Sequence, residues 1–391
     1  MSRRLIVSAL PGETRAAWLE DGRLCELIIL RDDKPTVADN LYLGRVSALD
    51  KGLRAAFVEI GMDRPGLLPL DKAPKGLSEG DAVIVRVARE PGPDKGAGLT
   101  ARLKPGEMTD AAGRVKPPAL LRAADPVTSA LERLDAPEEI VIDDPATFAR
   151  MKAAFGDRPE MVSRLRLDLD AAPLFERAGV EAEIEALLEP RVALPSGAYL
   201  LIEPVQTLTA IDVNTGRHDG RGAAALAVDL EAAAEIPRQL RLRNLSGLIV
   251  IDFLELGDGA ARKRVAAALK GALKDDPQPG RVQAMRPSGL VEMTRRRAGL
   301  ALHELLTGPC GLGGAGRVKD PVTLAFEALR AARRVAAQTP GRKISIASAP
   351  EVAAALEGPA KAARAAVEER LGRAIAVRPR PGHAAFEIVL E

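Results

Sequence analysis

Residues 208–217 read LTAIDVNTGR, and residues 246–256 read SGLIVIDFLEL. Each is a short apolar run that ends in an aspartate, Asp212 in the first and Asp252 in the second. Runs of this length, rich in Ile, Val and Thr and bounded by Gly, Asn and Ser, read as β-strands. Side chains alternate faces along a strand, so Ile249 and Ile251 share one face and Val250 and Asp252 the other. Two such strands ending at one edge of one sheet set Asp212 beside Asp252. A carboxylate buried there costs several kcal/mol unless it is paired or binds a cation. Two adjacent carboxylates also repel and raise each other's pKa. A divalent cation relieves both conflicts, and oxygen-only ligands favour Mg²⁺ or Mn²⁺ over zinc. Asn214 offers one more oxygen on the same side. DVNTG is also an ordinary turn sequence, in which aspartate serves local hydrogen bonding. From the residues alone both readings stand.

Outward from the two strands, a helix over roughly 223–243 joins them and another over roughly 259–275 follows. Residues 191–306 therefore read as a mixed sheet with flanking helices. Upstream, residues 138–190 alternate: strand EEIVID, helix PATFARMKAAF, strand SRLRLDL, helix VEAEIEALLEP. Residues 1–35 hold the strands RLIVSA, TRAAWLED and LCELIILR, with a hairpin turn at 20–22. Residues 36–104 carry five short strands with Gly and Pro turns, which fits a small barrel of OB type. Residues 105–137 dissolve into a linker. Residues 307–318, TGPCGLGGAGRV, are a glycine-rich break. Residues 319–391 read helix, strand, helix, strand, strand, a small α+β domain. The expected fold class is mixed α/β and multidomain.

The 391 residues suffice for several domains and a sizeable core. With 47% hydrophobic and 28% charged residues, the chain is globular rather than disordered. Aromatics are only 3%, so Ala, Leu and Val fill the cores and each aromatic stands out. A net charge of +2 selects no partner, which leaves that to local clusters. No apolar run approaches the ~18 residues of a membrane span. The start lacks a secretory h-region. Cys25 and Cys310 are far apart and give no disulfide framework. A reduced, cytoplasmic protein is expected.

Arginines flank the second aspartate strand: Arg238, Arg241 and Arg243 before it, Arg295, Arg296 and Arg297 after it. Such clusters beside a carboxylate-held metal suit a phosphodiester polyanion, although isolated basic runs are commonly solvated helix faces. Three segments, LPSGAYLLIEPVQTLTAIDVNTGR, LEAAAEIPRQLRLRNLSGLIVIDFLEL and SGLVEMTRRR, resemble in this order the catalytic core of the bacterial ribonuclease E/G family. NLYLGRV, AAFVEIG, RPGLLPL, GDAVIVRVARE and DKGAGLTARL resemble its RNA-binding OB domain, inserted into a ribonuclease-H-like domain. The resemblance covers most of the chain.

It implies a deoxyribonuclease-I-like catalytic domain that cuts single-stranded RNA internally at a metal held by two aspartates. These fall on Asp212 and Asp252, with Asn214 as the supporting asparagine. Phe57, one of two aromatics in the barrel region with Tyr42, falls on an RNA-contacting phenylalanine, and Lys95 on an RNA-contacting lysine. Arg89, Arg241, Arg243, Arg295 and Arg296 complete the expected RNA contacts. The expected cofactor is Mg²⁺, with Mn²⁺ as a substitute, and the setting is ribosomal RNA processing or messenger RNA decay.

The chain departs from the family in several places. Leu67 stands where the family has a second phenylalanine. The 5′-monophosphate sensor is reduced to the linker, leaving Arg281 without its partners. The zinc link that joins subunits needs Cys-Pro-x-Cys, and this chain has only Cys310, with His303 nearby. One thiolate per chain is too few for a tetrahedral site. No zinc is expected, and any oligomer would form without it. Gln206 replaces a glutamate six residues before Asp212, which would leave the metal site less negative. Pro237 is expected to kink the helix before Asp252. The alternative is an RNA-binding protein that kept the fold and lost the chemistry. A structural α/β protein with turn aspartates leaves the ordered motifs unexplained.

Overall fold

The structure is a computed structural model, and it describes residues 2–92, 95–103, 115–133, 136–216, 222–278, 280–297, 299–310, 316–383 and 385–390. Residues 104–114 of the barrel end and expected linker, and 311–315 of the glycine-rich break, lie outside the described residues. The chain divides into two units. One comprises Met1–Pro35, Leu134–Arg295 and Ala301–Glu391; the other comprises Thr36–Arg133 and Arg296–Leu300. Among the described residues no helix is long and apolar enough to cross a membrane.

The smaller unit is built on a barrel. Strands Leu41–Asp50, Ala55–Glu59, Gly66–Pro69, Gly98–Thr100 and Ala82–Arg89 pair in that order, and the last pairs back to the first. The ring is closed, five-stranded and OB-like. Alternation drives it: Val83, Val85 and Val87 point inward onto Val46, Val58, Leu68 and Leu99. A further strand, Ala119–Arg122, pairs with Leu41–Asp50 outside the ring, and a helix, Pro126–Arg133, follows it. Both lie in the stretch read as linker. The strand ALLR buries none of its residues, so it carries no apolar alternation to betray it.

The larger unit holds three principal sheets. In the first, Arg3–Leu10 runs parallel to Glu139–Ile142 and antiparallel to Glu13–Glu20, with Leu165–Leu167 and Arg23–Arg31 at the edges. The second is ordered Arg191–Ala193, Tyr199–Pro204, Thr209–Asn214, Gly247–Asp252, Leu290–Arg295, Arg281–Val282. Thr209–Asn214 and Gly247–Asp252 are parallel neighbours joined through the helix Gly222–Leu242. Parallel strands need such a crossover, because a tight turn joins only antiparallel ones.

That helix buries Ala225, Val228, Ala232, Ile236 and Leu240, a stripe at helical spacing. With helix Gly259–Ala272 it covers one face of the sheet, against Ile211, Val213, Ile249 and Ile251. Each fully buried isoleucine is worth about 1.5–3 kcal/mol. Pro237 removes one N–H donor, yet the helix continues through it as one element, held by this apolar stripe. It stops at Asn244, whose positive φ of 47° lets the Leu245 N–H donate to the Leu240 carbonyl at 3.0 Å.

The third sheet, Ile375–Pro379, Ile344–Ser348 and Phe386–Leu390, packs with helices Pro321–Gln338, Pro350–Glu357 and Lys361–Leu371. This is the element order read for the tail, with its second helix divided at Gly358. Arg31 and Lys34 tie the first sheet to this region. Arg31 donates to Thr323 Oγ1 at 2.7 Å, and Lys34 to Asp320 at 2.7 Å and the Leu305 carbonyl at 2.7 Å.

Candidate active site

Asp212 and Asp252 are register partners at the carboxyl ends of the two parallel strands. Ligand sites in parallel sheets gather at such ends. Both side chains lie on the face opposite the helices, and both are exposed. The burial cost considered for these carboxylates is therefore small, and their mutual repulsion stands beside it. Residual burial and the charge of Asp212 raise the Asp252 carboxyl above its ordinary value. Asn214 donates its Nδ2 to Asp212 Oδ2 at 2.8 Å, which orients the first carboxylate. Two exposed, converging carboxylates fit Mg²⁺, which uses one or two carboxylates and completes its shell with water and phosphate oxygens. Among the described residues no group of three or more His, Cys, Asp or Glu side chains converges as a metal site.

The segment after Asp252 is fixed from two sides. The Phe253 N–H donates to the Gly289 carbonyl at 3.3 Å. Gly289 has φ +90°, and a Cβ there would lie 2.2 Å from the Phe253 carbonyl oxygen, so the turn requires glycine. From the helix side, Asp229 accepts from the Leu254 N–H at 3.0 Å. Asp229 is 0% exposed, and its Oδ2 has no partner among the described residues. Burial pushes its carboxyl up to about 7. Sequence reading passed over Asp229. The available signal was an acid on the apolar stripe of the helix, between Ala225 and Ala232.

Several expected residues lie elsewhere. Arg295 is buried, and its guanidinium forms a two-point pair with Asp276 at 2.8 and 2.9 Å and donates to the Leu245 carbonyl. Arg243 is 5% exposed and donates to Gln239 at 2.9 Å; burial lowers it to about 10. Arg241 faces Glu26 at 3.7 Å, and Arg238 reaches Glu235, Glu183 and the Leu24 carbonyl. Arg238 and Arg241 staple the helix Gly222–Leu242 to the first sheet. Of the arginines expected to contact RNA, Arg243 and Arg295 thus have their guanidiniums engaged within the fold, while Arg241 stays partly exposed beside Glu26. Arg296 is exposed.

Gln206 sits in the turn between Tyr199–Pro204 and Thr209–Asn214, at the far end of the strand from Asp212. Asp212 lies three residue steps along the strand from Thr209, about 10 Å. Gln206 therefore does not border the carboxylate pair, and the charge argument drawn from it fails. Arg281 is exposed on the edge strand, beside a pocket of ≈ 360 Å³ lined also by Lys270, Gln278 and the Asp276–Arg295 pair. Cys310 ends a short hairpin of Thr307–Pro309 and Arg317–Lys319, and its N–H donates to the Gly316 carbonyl at 2.9 Å. It is a free thiol, as is Cys25.

On the barrel, register assembles what sequence gave only as separate residues. Phe57 pairs with Leu67, Leu67 with Gly98, and Gly98 with Arg89, one row across four strands. A Cβ on Gly98 would lie 3.1 Å from Arg89 Cβ and 3.3 Å from its Nε, so the glycine lets Arg89 lie across the strand. Phe57 and Leu67 are half-buried, and Arg89 is exposed. Lys95 is exposed in the adjoining loop, where Gly92 and Lys95 exchange backbone hydrogen bonds. Tyr42, the other barrel aromatic, is in the core.

A family model described as the ribonuclease E/G family matches residues 100–298. Ribonuclease G of Salmonella typhimurium (strain SL1344) is 28% identical over 488 residues, covering 100% of this chain and 100% of that protein. Ribonuclease G of Haemophilus influenzae is 29% identical over 428 residues, covering 85% of this chain and 87% of its own. Ribonuclease E of Escherichia coli (strain K12) is 28% identical over 84% of this chain and 40% of its own length.

Proposed function

The chain belongs to the ribonuclease E/G family, and from that premise we propose that it is an endoribonuclease cutting single-stranded RNA at a divalent cation held by Asp212 and Asp252. The observation that carries the cation site is the register pairing of two exposed carboxylates at one sheet edge. A cation bound there supplies positive charge to the phosphodiester and to the attacking water. Asp212 and Asp252 hold it from adjacent strands, and Asn214 keeps Asp212 turned toward it. Asp229 and Gly289 fix the chain behind Asp252. The barrel row of Phe57, Leu67 and Arg89, with Lys95, offers one ring face and two cations to a single strand. Leu67 supplies no second stacking surface there. Arg296 adds a phosphate contact. In-line attack leaves a 5′-phosphate and a 3′-hydroxyl.

In this reading the first sheet is ribonuclease-H-like, the second deoxyribonuclease-I-like, and the substrates are ribosomal precursors or messengers. Cys310 alone supports no zinc link. The best support for the alternative, an RNA-binding protein without chemistry, was Gln206, and its place in the turn at the far end of the strand from Asp212 weighs against that reading.

A fluorescent single-stranded oligoribonucleotide incubated with Mg²⁺ and with chelator tests the proposal. Cleavage is expected only with Mg²⁺, and cleavage of equal rate in chelator would refute the metal role. With the sensor segment reduced and Arg281 exposed, an isolated phosphate contact is worth about 0–1 kcal/mol. The 5′-hydroxyl and 5′-monophosphate forms should therefore be cut at rates within tenfold of each other.

A further inference from the structure

The face of the second sheet that carries Asp212 and Asp252 has one aromatic among its strand residues, Tyr199. This matters in a chain with two tyrosines, one tryptophan and seven phenylalanines. Trp18, Phe155, Phe175, Phe253 and Phe326 are all in cores. Tyr199 is half-buried and pairs in register with Asn214, while its strand neighbour Leu201 pairs with Asp212. Directly opposed side chains lie about 5 Å apart at Cβ and diagonal ones about 7–8 Å. The ring is thus one strand from Asn214 and diagonal to Asp212.

On its other side, strand Arg191–Ala193 pairs so that Arg191 opposes Leu201 and Ala193 opposes Tyr199. The Arg191 guanidinium carbon sits 3.6 Å from the centre of the Tyr199 ring. That distance is a stacked guanidinium rather than a passing contact. Arg191 is exposed, and among the described residues no carboxylate pairs with it. A flat ring, a guanidinium plane laid against it and two carboxylates therefore follow one another across four neighbouring strands.

We infer that Tyr199 and Arg191 form a base-stacking subsite for a nucleobase of the RNA strand next to the phosphodiester that is cut. The inference rests on the reading of Asp212 and Asp252 as the cleavage centre. The chemistry is that of single-strand recognition: an aromatic face accepts any base, and an adjoining guanidinium takes the backbone phosphate or extends the stack. The ring's register, opposite Asn214 and diagonal to Asp212, puts this base next to the cut. It differs in this from the barrel row, whose aromatic lies on a separate unit. The subsite recognises a π face, so it tolerates base identity but not base absence.

The test uses the full chain and a single-stranded oligoribonucleotide in which each nucleotide in turn is made abasic. In the wild type, one position near the cut should raise KM about tenfold when its base is removed, 1.4 kcal/mol. In Tyr199→Leu the intact oligonucleotide should already show that tenfold loss, and removing the base should add nothing. Tyr199→Phe keeps the ring and should behave as wild type, which a change in folding would not reproduce. Arg191→Gln should lose part of the effect at the same position. A Tyr199→Leu enzyme with the wild-type abasic profile overturns the inference, whatever its stability. If the wild type shows no Mg²⁺-dependent cleavage, the nuclease reading fails instead. Fluorescence anisotropy of the same abasic set, in chelator, then still decides whether Tyr199 stacks a base.

Discussion

The tetrapeptide IVID occurs twice in the larger unit, at 140–143 and at 249–252. Each copy is in, or at the end of, a strand that runs parallel to a neighbour, and each ends in aspartate. Their fates are opposite. Asp143 is 2% exposed and accepts from Ser8 Oγ at 2.9 Å and from the Ala9 N–H at 2.9 Å, with Arg333 at 3.7 Å. Asp252 is exposed, and its register partner is another carboxylate, Asp212. In the first sheet the neighbouring strand answers the charge. In the second it repeats the charge and leaves the answer to come from outside. Whether a strand-end aspartate is answered within the fold is therefore decided by its neighbour, not by its own sequence.

The sharpest way to break this comparison is to neutralise each copy. Asp252→Asn, or Asp212→Asn, should lower cleavage about 10³-fold, the several kcal/mol of charge stabilisation that a held cation provides. Circular dichroism and melting temperature should stay near wild type, because both side chains are exposed. An Asp252→Asn enzyme of full activity would end the case for a cation site.

Asp143→Ala should do the reverse. Leaving the Ser8 hydroxyl, the Ala9 N–H and the buried Arg333 without their acceptor should cost about 3 kcal/mol of stability. Urea unfolding reads that loss, and cleavage per folded molecule should be unchanged. A catalytic defect without a stability defect would place Asp143 in the wrong class.

Asp229 lies between the two cases, buried like Asp143 but with one oxygen unanswered. Its folded carboxyl holds its proton up to about 7, against an ordinary value of 3.8. Between those values the folded state binds the extra proton, so stability falls as pH rises through the window and the loss is complete above it. From pH 5 to 8 this group should cost roughly 2–3 kcal/mol, at 1.36 kcal/mol per unit. Asp229→Asn should remove that part of the slope in urea unfolding at the two pH values. Parallel slopes in variant and wild type would show that the proton is not held.

The smallest effect concerns the adjacent arginines 295 and 296. Arg296→Gln should weaken RNA binding by a few-fold and reduce the salt slope by about 0.7, the value for one phosphate of a single strand. Melting temperature should not move. Arg295→Gln should instead destabilise the fold by stranding Asp276, with an unaltered salt slope for the folded protein. Equal salt slopes for Arg296→Gln and wild type would remove Arg296 from the RNA path.

The sequence by itself determined the parity of each strand. Cβ atoms alternate with a period of two, so Ile249 and Ile251 had to share the buried face and Asp252 the other. It also determined the closed barrel's inward Val83, Val85 and Val87, and the apolar stripe of the helix Gly222–Leu242. The ordered motifs carried the family resemblance. What lies beside each strand was not legible, because pairing joins residues far apart in the chain. Only the tertiary structure brought Asp212 to Asp252, laid Arg191 on Tyr199, and aligned Phe57 with Arg89 across four strands. It also took Arg243 and Arg295 into the interior, where Gln239 and Asp276 accept hydrogen bonds from them, and put Gln206 in the turn at the far end of the strand from Asp212. A basic run reads the same whether it is solvated or paired, since the partner that desolvates a guanidinium comes from another element. Charge and periodicity are local properties of a chain, whereas the company a charge keeps is decided by packing.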